Sequence, residues 1–442
     1  MKRKLSLLLL MIPFLPGKTS LAQDCSDCRY MSAQFDSVMV ETVLIGEGEN
    51  SDGNMQQLYA DIYQPYGDTE TDRPVVIIAF GGGFLAGARD DWYVVEICKQ
   101  FAKAGYVAVA NDYRIGVNPL EILLSQSMRI FFRPMQDMRA MVQYLKADYS
   151  ELGNNYSIDT NRIIMGGASA GGITALMTAY CDKESEMAEM GNINALDDLG
   201  GFYTSTGFYP QYNWDVAATF NISGAIINAD WIEPGDVPVI SAHGNEDEIV
   251  PYGEGGFGNA LLEGVIDVQG SSIVHQEALA EGVCSYLYTM EGEGHPSEET
   301  SIELIRSVVY RMQQRVFSVI NGKDFCCPLE VDITPDDTLY VALAGTDVAL
   351  AADVTGDNGN AVYQWCGLPC TFNANTATVQ IQADTSWRYV SLIVTEGQCQ
   401  NADLQVVMSE SPNTSVFELE NNPGISIFPQ PASDQVRINI AK

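Results

Sequence analysis

The sequence predicts an α/β protein, with a mostly parallel sheet covered by helices on both faces, followed by a small β-sandwich. Up to Gly322, short apolar runs typical of buried strands alternate with segments of helical periodicity. After Cys326 the helical periodicity is absent, and residues 328–408 contain short β-runs separated by turn signals. We therefore expect two domains of different class within the 442 residues.

The first 22 residues resemble a secretory signal peptide. Three basic residues come first, an apolar stretch from Leu5 to Leu15 follows, and Ser20-Leu21-Ala22 provides a small-residue cleavage site. The apolar stretch is short for a membrane anchor, and no cysteine follows the cleavage site as a lipoprotein would require. We expect a secreted or cell-surface protein without stable membrane insertion.

Charge and cysteine content narrow the classes of partner. The formal net charge is −35, which disfavours nucleic acid and anionic lipid as partners. Ten cysteines in an exported chain predict disulfides, although the spacing leaves their pairing open. Cys25-x-x-Cys28 also allows a metal site, but no second such pair follows and histidine is scarce, so we predict no metal.

The α/β region can be divided into elements by its periodicity. Residues 36–66 alternate polar and apolar side chains and predict two antiparallel strands. Further strands are predicted at 74–80, 106–110, 162–165, 222–228, 237–242 and 285–290. Helices are predicted at 92–104, from Pro134 onward, at 173–180, near 257–266 and at 299–320. Two irregular inserts remain, an apolar one at 116–133 beside the predicted site entrance and an aromatic one at 183–220.

A G-x-S-x-G motif between a predicted strand and a predicted helix provides a candidate nucleophile. Residues 167–171 read GASAG, and further glycines flank them at 166 and 172. Small neighbours are needed because the turn that raises such a serine above the sheet is strained. We predict Ser169 as the nucleophile. The alternative is a glycine-rich turn that only packs the helix on the strand.

Three histidines limit the search for a general base. His295 follows the last predicted strand of the sheet and is the favoured base, whereas His243 is expected to support the turn that presents the acid. His275 is predicted to lie on a surface helix or loop. Asp247 follows the strand that ends at 242 and is the favoured acid, with Asp230 and Glu246 as rivals.

Residues 80–84 read FGGGF and directly follow a predicted strand. Glycines there allow the backbone to approach a substrate closely, as an oxyanion hole requires. A phosphate-binding loop is the other reading, but the G-K-[ST] that such a loop needs does not follow.

Residues 22–322 resemble secreted carboxylesterases of the α/β-hydrolase superfamily, in the branch with an HGGG-type loop. The matching pieces are ADIYQPYGD, FGGGF, GGASAGG, HGNEDEIVPY and GEGH, in this order. The resemblance implies Ser169 as nucleophile, His295 as general base and acid, and Asp247 as its orienter. It also implies that no cofactor is needed and that the oxyanion hole is formed by the amides of Gly82, Gly83 and Ala170. Phe80 stands where the family's loop usually begins with histidine, so the amides remain but the loop loses the hydrogen bonds of that histidine, which bears on its rigidity and not on the triad.

Aromatic residues supply the candidate substrate pocket. We predict that Phe84 and, from the insert, Phe208, Tyr209 and Trp214 border the site, because loops at the active edge of a sheet usually do so. The alternative is that they pack inside the protein. A pocket of this kind would favour neutral esters with short or aromatic groups.

The C-terminal region contains three predicted segments. Residues 328–408 look like an immunoglobulin-like sandwich with Tyr363 and Trp365 as core aromatics. Residues 409–423 are predicted to form a linker. Residues 424–442 are similar to the start of C-terminal sorting domains of the type IX secretion system in Bacteroidota, which implies that machinery as a partner. One more pair of β-strands is the alternative.

Together these features predict an exported serine esterase that cleaves small-molecule or polymer-linked carboxylic esters through an acyl-enzyme, without cofactor. Within the same fold the alternatives are a feruloyl or acetyl-xylan esterase, a polyester depolymerase and a peptidase. From another class, the chain would be a binding protein with an inactive hydrolase domain (residues 23–322) whose sandwich grips a polymer.

Overall fold

The computed structural model describes residues 28–257, 266–296, 302–335, 340–343, 347–368, 373–382, 388–410, 425–429 and 436–440. The predicted signal peptide at 1–22, Cys25 and nearly all of the predicted linker lie outside these ranges. No helix within the described ranges is both long enough and apolar enough to cross a bilayer.

The first eleven strands form two sheets. In chain order they are Val38–Glu49 (β1), Met55–Pro65 (β2), Arg73–Ala79 (β3), Val107–Asn111 (β4), Ile158–Ala168 (β5), Ala218–Ile222 (β6), Ala225–Ile226 (β7), Val239–Gly244 (β8), Glu254–Gly256 (β9), Asp267–Gly270 (β10) and Ser285–Met290 (β11). Among the described residues the main sheet has eight strands in the order β1-β2-β4-β3-β5-β6-β8-β11, and β7, β10 and β9 form a small separate sheet.

The main sheet is mostly parallel, as predicted. β1 pairs with β2 and β2 with β4 in antiparallel fashion, and the other neighbouring pairs from β4 to β11 are parallel. Every residue of β3 and β4 is buried, which fits central strands that are covered on both faces. This strand order, with a sharp turn between β5 and the helix after it, is the α/β-hydrolase fold.

The helices cover the sheet in two layers. In the described ranges the α-helices are Trp92–Ala104 (α1), Pro119–Leu123 (α2), Met128–Ala147 (α3), Ala170–Tyr180 (α4), Glu184–Met187 (α5), Ser271–Ala280 (α6) and Ile302–Ile320 (α7). α1 packs against α7, and α3 packs against α4. The helix predicted near 257–266 falls largely on residues outside the described ranges.

Two predicted boundaries are wrong. α3 begins at Met128 rather than at Pro134, which lies inside the helix. An interior proline costs about 3 kcal/mol, but the helix buries Phe131 and Phe132 before it, and each such side chain contributes about 1.5–3 kcal/mol. A strand was predicted at 222–228, but β6 ends at Ile222, where the chain turns before β7 joins the small sheet.

The region after α7 forms two smaller sheets. Its described strands are Glu330–Thr334 (β12), Tyr340–Leu343 (β13), Asp347–Thr355 (β14), Val362–Leu368 (β15), Asn373–Ala374 (β16), Thr378–Gln382 (β17), Arg388–Glu396 (β18) and Cys399–Glu410 (β19). β12, β14 and β17 form one sheet, and β13, β19, β18, β15 and β16 form the other. Trp365 is fully buried between them, as predicted, whereas Tyr363 is only partly buried. In the tail, Ile425–Pro429 (β20) pairs with Val436–Ile440 (β21).

The second region packs tightly on α7 of the first. The guanidinium of Arg315 stacks 4.2 Å from the ring centre of Tyr286 and donates to the carbonyl of Ala402, 2.9 Å away. Gln314 donates to Oγ of Ser391 at 2.7 Å. Both polar side chains of α7 are buried, and each bonds a residue of the second region.

Within the described residues, two disulfides link distant parts of the chain. Cys28 pairs with Cys366 of β15, and Cys284 pairs with Cys326 after α7. Each bond joins cysteines that are far apart in sequence, a pairing that the spacing had left open. Because the Cys28 sulfur is in a disulfide, the metal-site alternative for Cys25-x-x-Cys28 is not supported.

Candidate active site

The chain makes a strained turn at Ser169, between β5 and α4. The serine has φ 54° and ψ −122°, a conformation that L-residues rarely adopt. Small neighbours make the turn possible: a Cβ on Gly167 or Gly171 would lie only 2.6 or 2.2 Å from the carbonyl oxygen of Ala79. The glycines of the motif therefore allow the turn to pack against the end of β3, as the sequence predicted.

Three residues that are distant in sequence form one hydrogen-bond chain. Oγ of Ser169 lies 2.9 Å from Nε2 of His295, and Nδ1 of His295 lies 2.7 Å from Oδ2 of Asp247. Because a carboxylate only accepts, Nδ1 carries the proton and Nε2 is left to accept from the serine. The ring is thereby held in the tautomer that can remove a proton from Ser169.

Asp247 is surrounded by donors. The amides of Ile249 and Val250 each donate to Oδ1 at 2.9 Å, and Nε2 of His243 lies 3.3 Å from Oδ2. Burial alone would raise the pKa of Asp247, but the hydrogen bonds from His243 and His295 outweigh it and hold the pKa well below its ordinary value. The carboxylate therefore remains ionised and can orient His295.

The glycine loop lies beside the nucleophile. Gly81, Gly82 and Gly83 line the same cavity as Ser169. Gly82 has φ 116° and a Cβ there would lie 2.2 Å from the carbonyl oxygen of Ala86, so only glycine fits. Ala170 is the first residue of α4, and its amide has no acceptor within the helix. The candidate oxyanion donors of the sequence thus lie at one place.

Tyrosines hold the loop in place of the missing histidine. Phe80 stacks on Tyr113 with ring centres 4.1 Å apart, and the Tyr113 hydroxyl donates to the Phe80 carbonyl at 2.8 Å. The amide of Gly81 donates to the hydroxyl of Tyr93 at 2.5 Å. The loop is therefore held by hydrogen bonds to Tyr93 and Tyr113, although no histidine begins it. No sequence spacing pointed to Tyr93 or Tyr113, and the only available signal was that Tyr93 lies in the first turn of the helix after the loop.

A cavity of about 460 Å³ opens at Ser169 and His295. Most of its wall is apolar, and Asp91 supplies an acidic group. The larger apolar side chains of the wall include Trp92, Ile97, Ile222, Ile249, Pro296 and Ile305.

The four aromatic residues predicted to line the pocket do not line this cavity. Phe84 is buried against Tyr113 and Phe131. Trp214 stacks on the guanidinium of Arg139 at 4.6 Å, Tyr209 contacts Tyr144 of α3, and Phe208 is exposed elsewhere on the surface.

The direction of α4 explains this error. α4 starts beside Ser169, at the carboxyl ends of the strands, and runs back so that the hydroxyl of Tyr180 donates to the carbonyl of Val237, just before β8. The insert that follows α4 therefore begins at the amino ends of the strands, opposite the site. There it packs against β1 and α3: the amide of Glu47 donates to the carbonyl of Thr206, and Gln143 donates to the carbonyl of Tyr212.

The rival acids and bases occupy other positions. Nδ1 of His275 in α6 lies 2.8 Å from Oγ of Ser285, and Asp230 is exposed in a short turn. Glu246 is exposed beside Asp247, but its side chain is not the one that meets His295. His243 lies on the far side of Asp247 and does not contact the nucleophile.

Residues 60–208 match the family BD-FAE. The matched range includes the glycine loop and Ser169, whereas Asp247 and His295 lie beyond it. The BD-FAE match supports a hydrolase that acts on esters.

Two curated fungal proteins are similar to part of the chain. Non-reducing polyketide synthase ascC of Acremonium egyptiacum is 26% identical over 152 residues, which are 34% of this chain and 6% of the synthase. Non-reducing polyketide synthase pkbA of Emericella nidulans is 26% identical over 151 residues, with the same two shares. The chain therefore spans only a small part of the length of these relatives.

Solved esterase structures also resemble the chain. Thermogutta terrifontis esterase 2 phosphorylated by paraoxon is 19% identical with a TM-score of 0.44, and covers 64% of this chain and 94% of its own. The propionate-bound form has the same identity and shares, with a TM-score of 0.45. A truncated carbohydrate esterase from gut microbiota is 14% identical with a TM-score of 0.42, and covers 64% of this chain and 98% of its own.

Proposed function

We propose that the chain is a serine hydrolase that cleaves carboxylic esters through an acyl-enzyme formed on Ser169. The observation that carries this proposal is the hydrogen-bond chain from Ser169 through His295 to Asp247, which opens on a largely apolar cavity. An inactive binding protein would have no need for a strained serine joined to a correctly oriented imidazole.

The chemistry follows from the positions of the groups. Oγ of Ser169 attacks the ester carbonyl carbon while Nε2 of His295 takes the hydroxyl proton. Amides of the glycine loop and of Ala170 stabilise the oxyanion of the tetrahedral intermediate. The intermediate collapses as His295 returns the proton to the leaving alcohol. Water then attacks the acyl-enzyme with the same histidine as base, and the carboxylic acid leaves.

The cavity supports neutral esters with small apolar groups as substrates. Its volume of about 460 Å³ lies towards the small end of the range for ligand sites, roughly 300–1,000 Å³. Isoleucines and Trp92 provide an apolar wall, and the carboxylate of Asp91 disfavours anionic groups. The expectation of short acyl or alcohol groups is therefore retained, with a different set of residues to bind them.

We further propose that the protein is exported. The disulfides Cys28–Cys366 and Cys284–Cys326 support this, because such bonds persist in oxidising compartments. Residues 23–322 would be the catalytic domain, 328–408 an immunoglobulin-like domain, and 424–442 the start of a type IX sorting signal. Detection of the full chain in the medium or at the cell surface of a type IX-competent host, and its loss when 424–442 are deleted, would test export.

A covalent probe tests the catalytic proposal directly. A fluorophosphonate should label the full chain once, and peptide mapping should locate the label on Ser169. The Ser169→Ala variant should not react, and the wild type should hydrolyse small neutral esters in a graded acyl panel that includes feruloyl and polyester members. A wild-type protein that neither reacts with the probe nor cleaves any ester would refute the proposal.

A further inference from the structure

Tyr93 lies between the glycine loop and the nucleophile. It is the second residue of α1 and lines the cavity together with Ser169. A Cβ built on Gly81 would lie 3.1 Å from Cβ of Ser169 and 3.2 Å from the hydroxyl oxygen of Tyr93. The hydroxyl and the nucleophile therefore flank the same point beside the loop.

The hydrogen bond that Tyr93 makes leaves its own proton available. The amide of Gly81 donates to the Tyr93 oxygen at 2.5 Å, so the hydroxyl acts as an acceptor there. Among the residues that the structure describes, no group accepts the proton of this hydroxyl. A phenol that receives a hydrogen bond is also polarised to donate one more strongly.

We propose that the Tyr93 hydroxyl is an oxyanion-hole donor that binds the carbonyl oxygen of the ester and the oxyanion formed from it. The inference rests on the proposed acyl transfer at Ser169 and adds a side-chain donor to the backbone amides. It also gives Gly81 a role. Its amide does not contact the substrate but bonds the Tyr93 hydroxyl, which in turn donates to the substrate oxygen.

The surroundings of Tyr93 keep its hydroxyl protonated, as a hydrogen-bond donor must be. Burial raises the pKa of Tyr93 to about 12, although the hydrogen bond from the Gly81 amide acts in the opposite direction. The hydroxyl is therefore protonated at neutral pH.

The Tyr93→Phe variant of the full chain tests the proposal, with Tyr113→Phe as matched control. Tyr113 also holds the loop through its hydroxyl, but it is buried and does not line the cavity. Tyr93→Phe should lower kcat for a short ester by about 10²-fold with KM changed less than about threefold. Tyr113→Phe should mainly lower Tm, with a loss in kcat of less than about fivefold. Equal losses of kcat in both variants would mean that both tyrosines act only by holding the loop.

A fluorinated tyrosine at position 93 separates donation from acceptance. Fluorine makes the phenol a better donor and a poorer acceptor, while the raised pKa keeps it protonated near neutral pH. If the hydroxyl donates to the oxyanion, kcat at pH 7 should rise by roughly two- to fivefold. An unchanged or lower kcat overturns the inference while leaving the esterase proposal intact. A wild-type chain without any esterase activity overturns both.

Discussion

Nε2 of His243 lies 3.3 Å from Oδ2 of Asp247, and both side chains are buried. The same nitrogen lies 3.0 Å from the carbonyl of Val250, and both neighbours only accept, so Nε2 must carry a proton. On the other side of the ring, Nδ1 lies 2.8 Å from Oγ of Ser271. His243 thus bonds Asp247 on the side away from Ser169, whereas His295 bonds Asp247 on the side that faces the nucleophile.

The three residues of the hydrogen-bond chain should act as a unit. Ser169→Ala and His295→Ala should each lower kcat by roughly 10⁵–10⁶, and the double variant should be little worse than either. Asp247→Asn should cost about 10⁴, because the ring keeps its place but loses its preferred tautomer. Steady-state kinetics on a short ester measure all four variants. Full additivity of the two alanine changes would contradict a shared mechanism.

His243 should support the acid rather than act as the base. His243→Ala should lower kcat by about 10- to 10²-fold and also lower Tm, because Asp247 loses a buried donor. His275→Ala is the matched control, since His275 also bonds a serine hydroxyl but lies on α6 away from the cavity. If His243→Ala abolishes activity while His295→Ala retains it, His243 is the base and the assignment fails.

Stability should fall in acid through Asp247. Its pKa is lowered in the folded protein, so the ionised form contributes stability that is complete above the unfolded value of about 3.9 and is lost as pH falls through the lower folded value. Urea unfolding between pH 7 and pH 3 should show a decline below about pH 4. Asp247→Asn should be less stable at pH 7 and should show about 1 kcal/mol less of this decline down to pH 3. Parallel pH curves for the two proteins would show that Asp247 does not contribute.

Trp92 should contact the substrate and Trp214 should not. Trp92 lines the cavity and is 40% exposed, whereas Trp214 stacks on Arg139. Trp92→Ala should raise KM for a short neutral ester by about 5- to 20-fold with little change in Tm. Trp214→Ala should lower Tm and leave KM near the wild-type value. The reverse pattern would restore the aromatic insert as the substrate pocket.

The second region should contribute to stability through α7. Arg315→Ala removes a buried guanidinium that stacks on Tyr286 and should lower the free energy of unfolding by about 2–4 kcal/mol. Arg306→Ala, on the same helix but in a partly exposed pair with Glu96, should cost less than about 1 kcal/mol. Unfolding in guanidinium chloride measures the free energy of unfolding of the two variants. Equal losses in both would contradict a special contribution of Arg315 to stability.

Every predicted catalytic residue precedes Cys326, so by sequence alone residues 328–442 are expected to be dispensable for the chemistry. The structure changes that expectation for stability. A chain that ends near Gly322 would expose Gln314 and Arg315 and lose the Cys28–Cys366 bond, so it should fold poorly even though no cavity residue is removed.

Local pattern was sufficient for the class of fold and for the candidate triad. Strand and helix periods follow from side-chain spacing along one segment, and a strained serine turn needs its small residues within five positions. With three histidines in the chain, one after the last predicted strand, the choice of His295 needed no distance information.

Only the tertiary structure decided which residues meet across long separations. The cavity wall joins Trp92, Ile249 and Ile305 from three separate segments, and Tyr93 approaches the glycine loop only because α1 packs against the sheet. The aromatic insert was predicted to border the site, but it lies at the opposite edge of the sheet, at the amino ends of the strands. The hydrophobic pattern of a helix does not encode the direction in which the helix runs. Pairing of cysteines, support of the loop by tyrosines and docking of the second region on α7 are likewise set by packing, which a one-dimensional pattern does not contain.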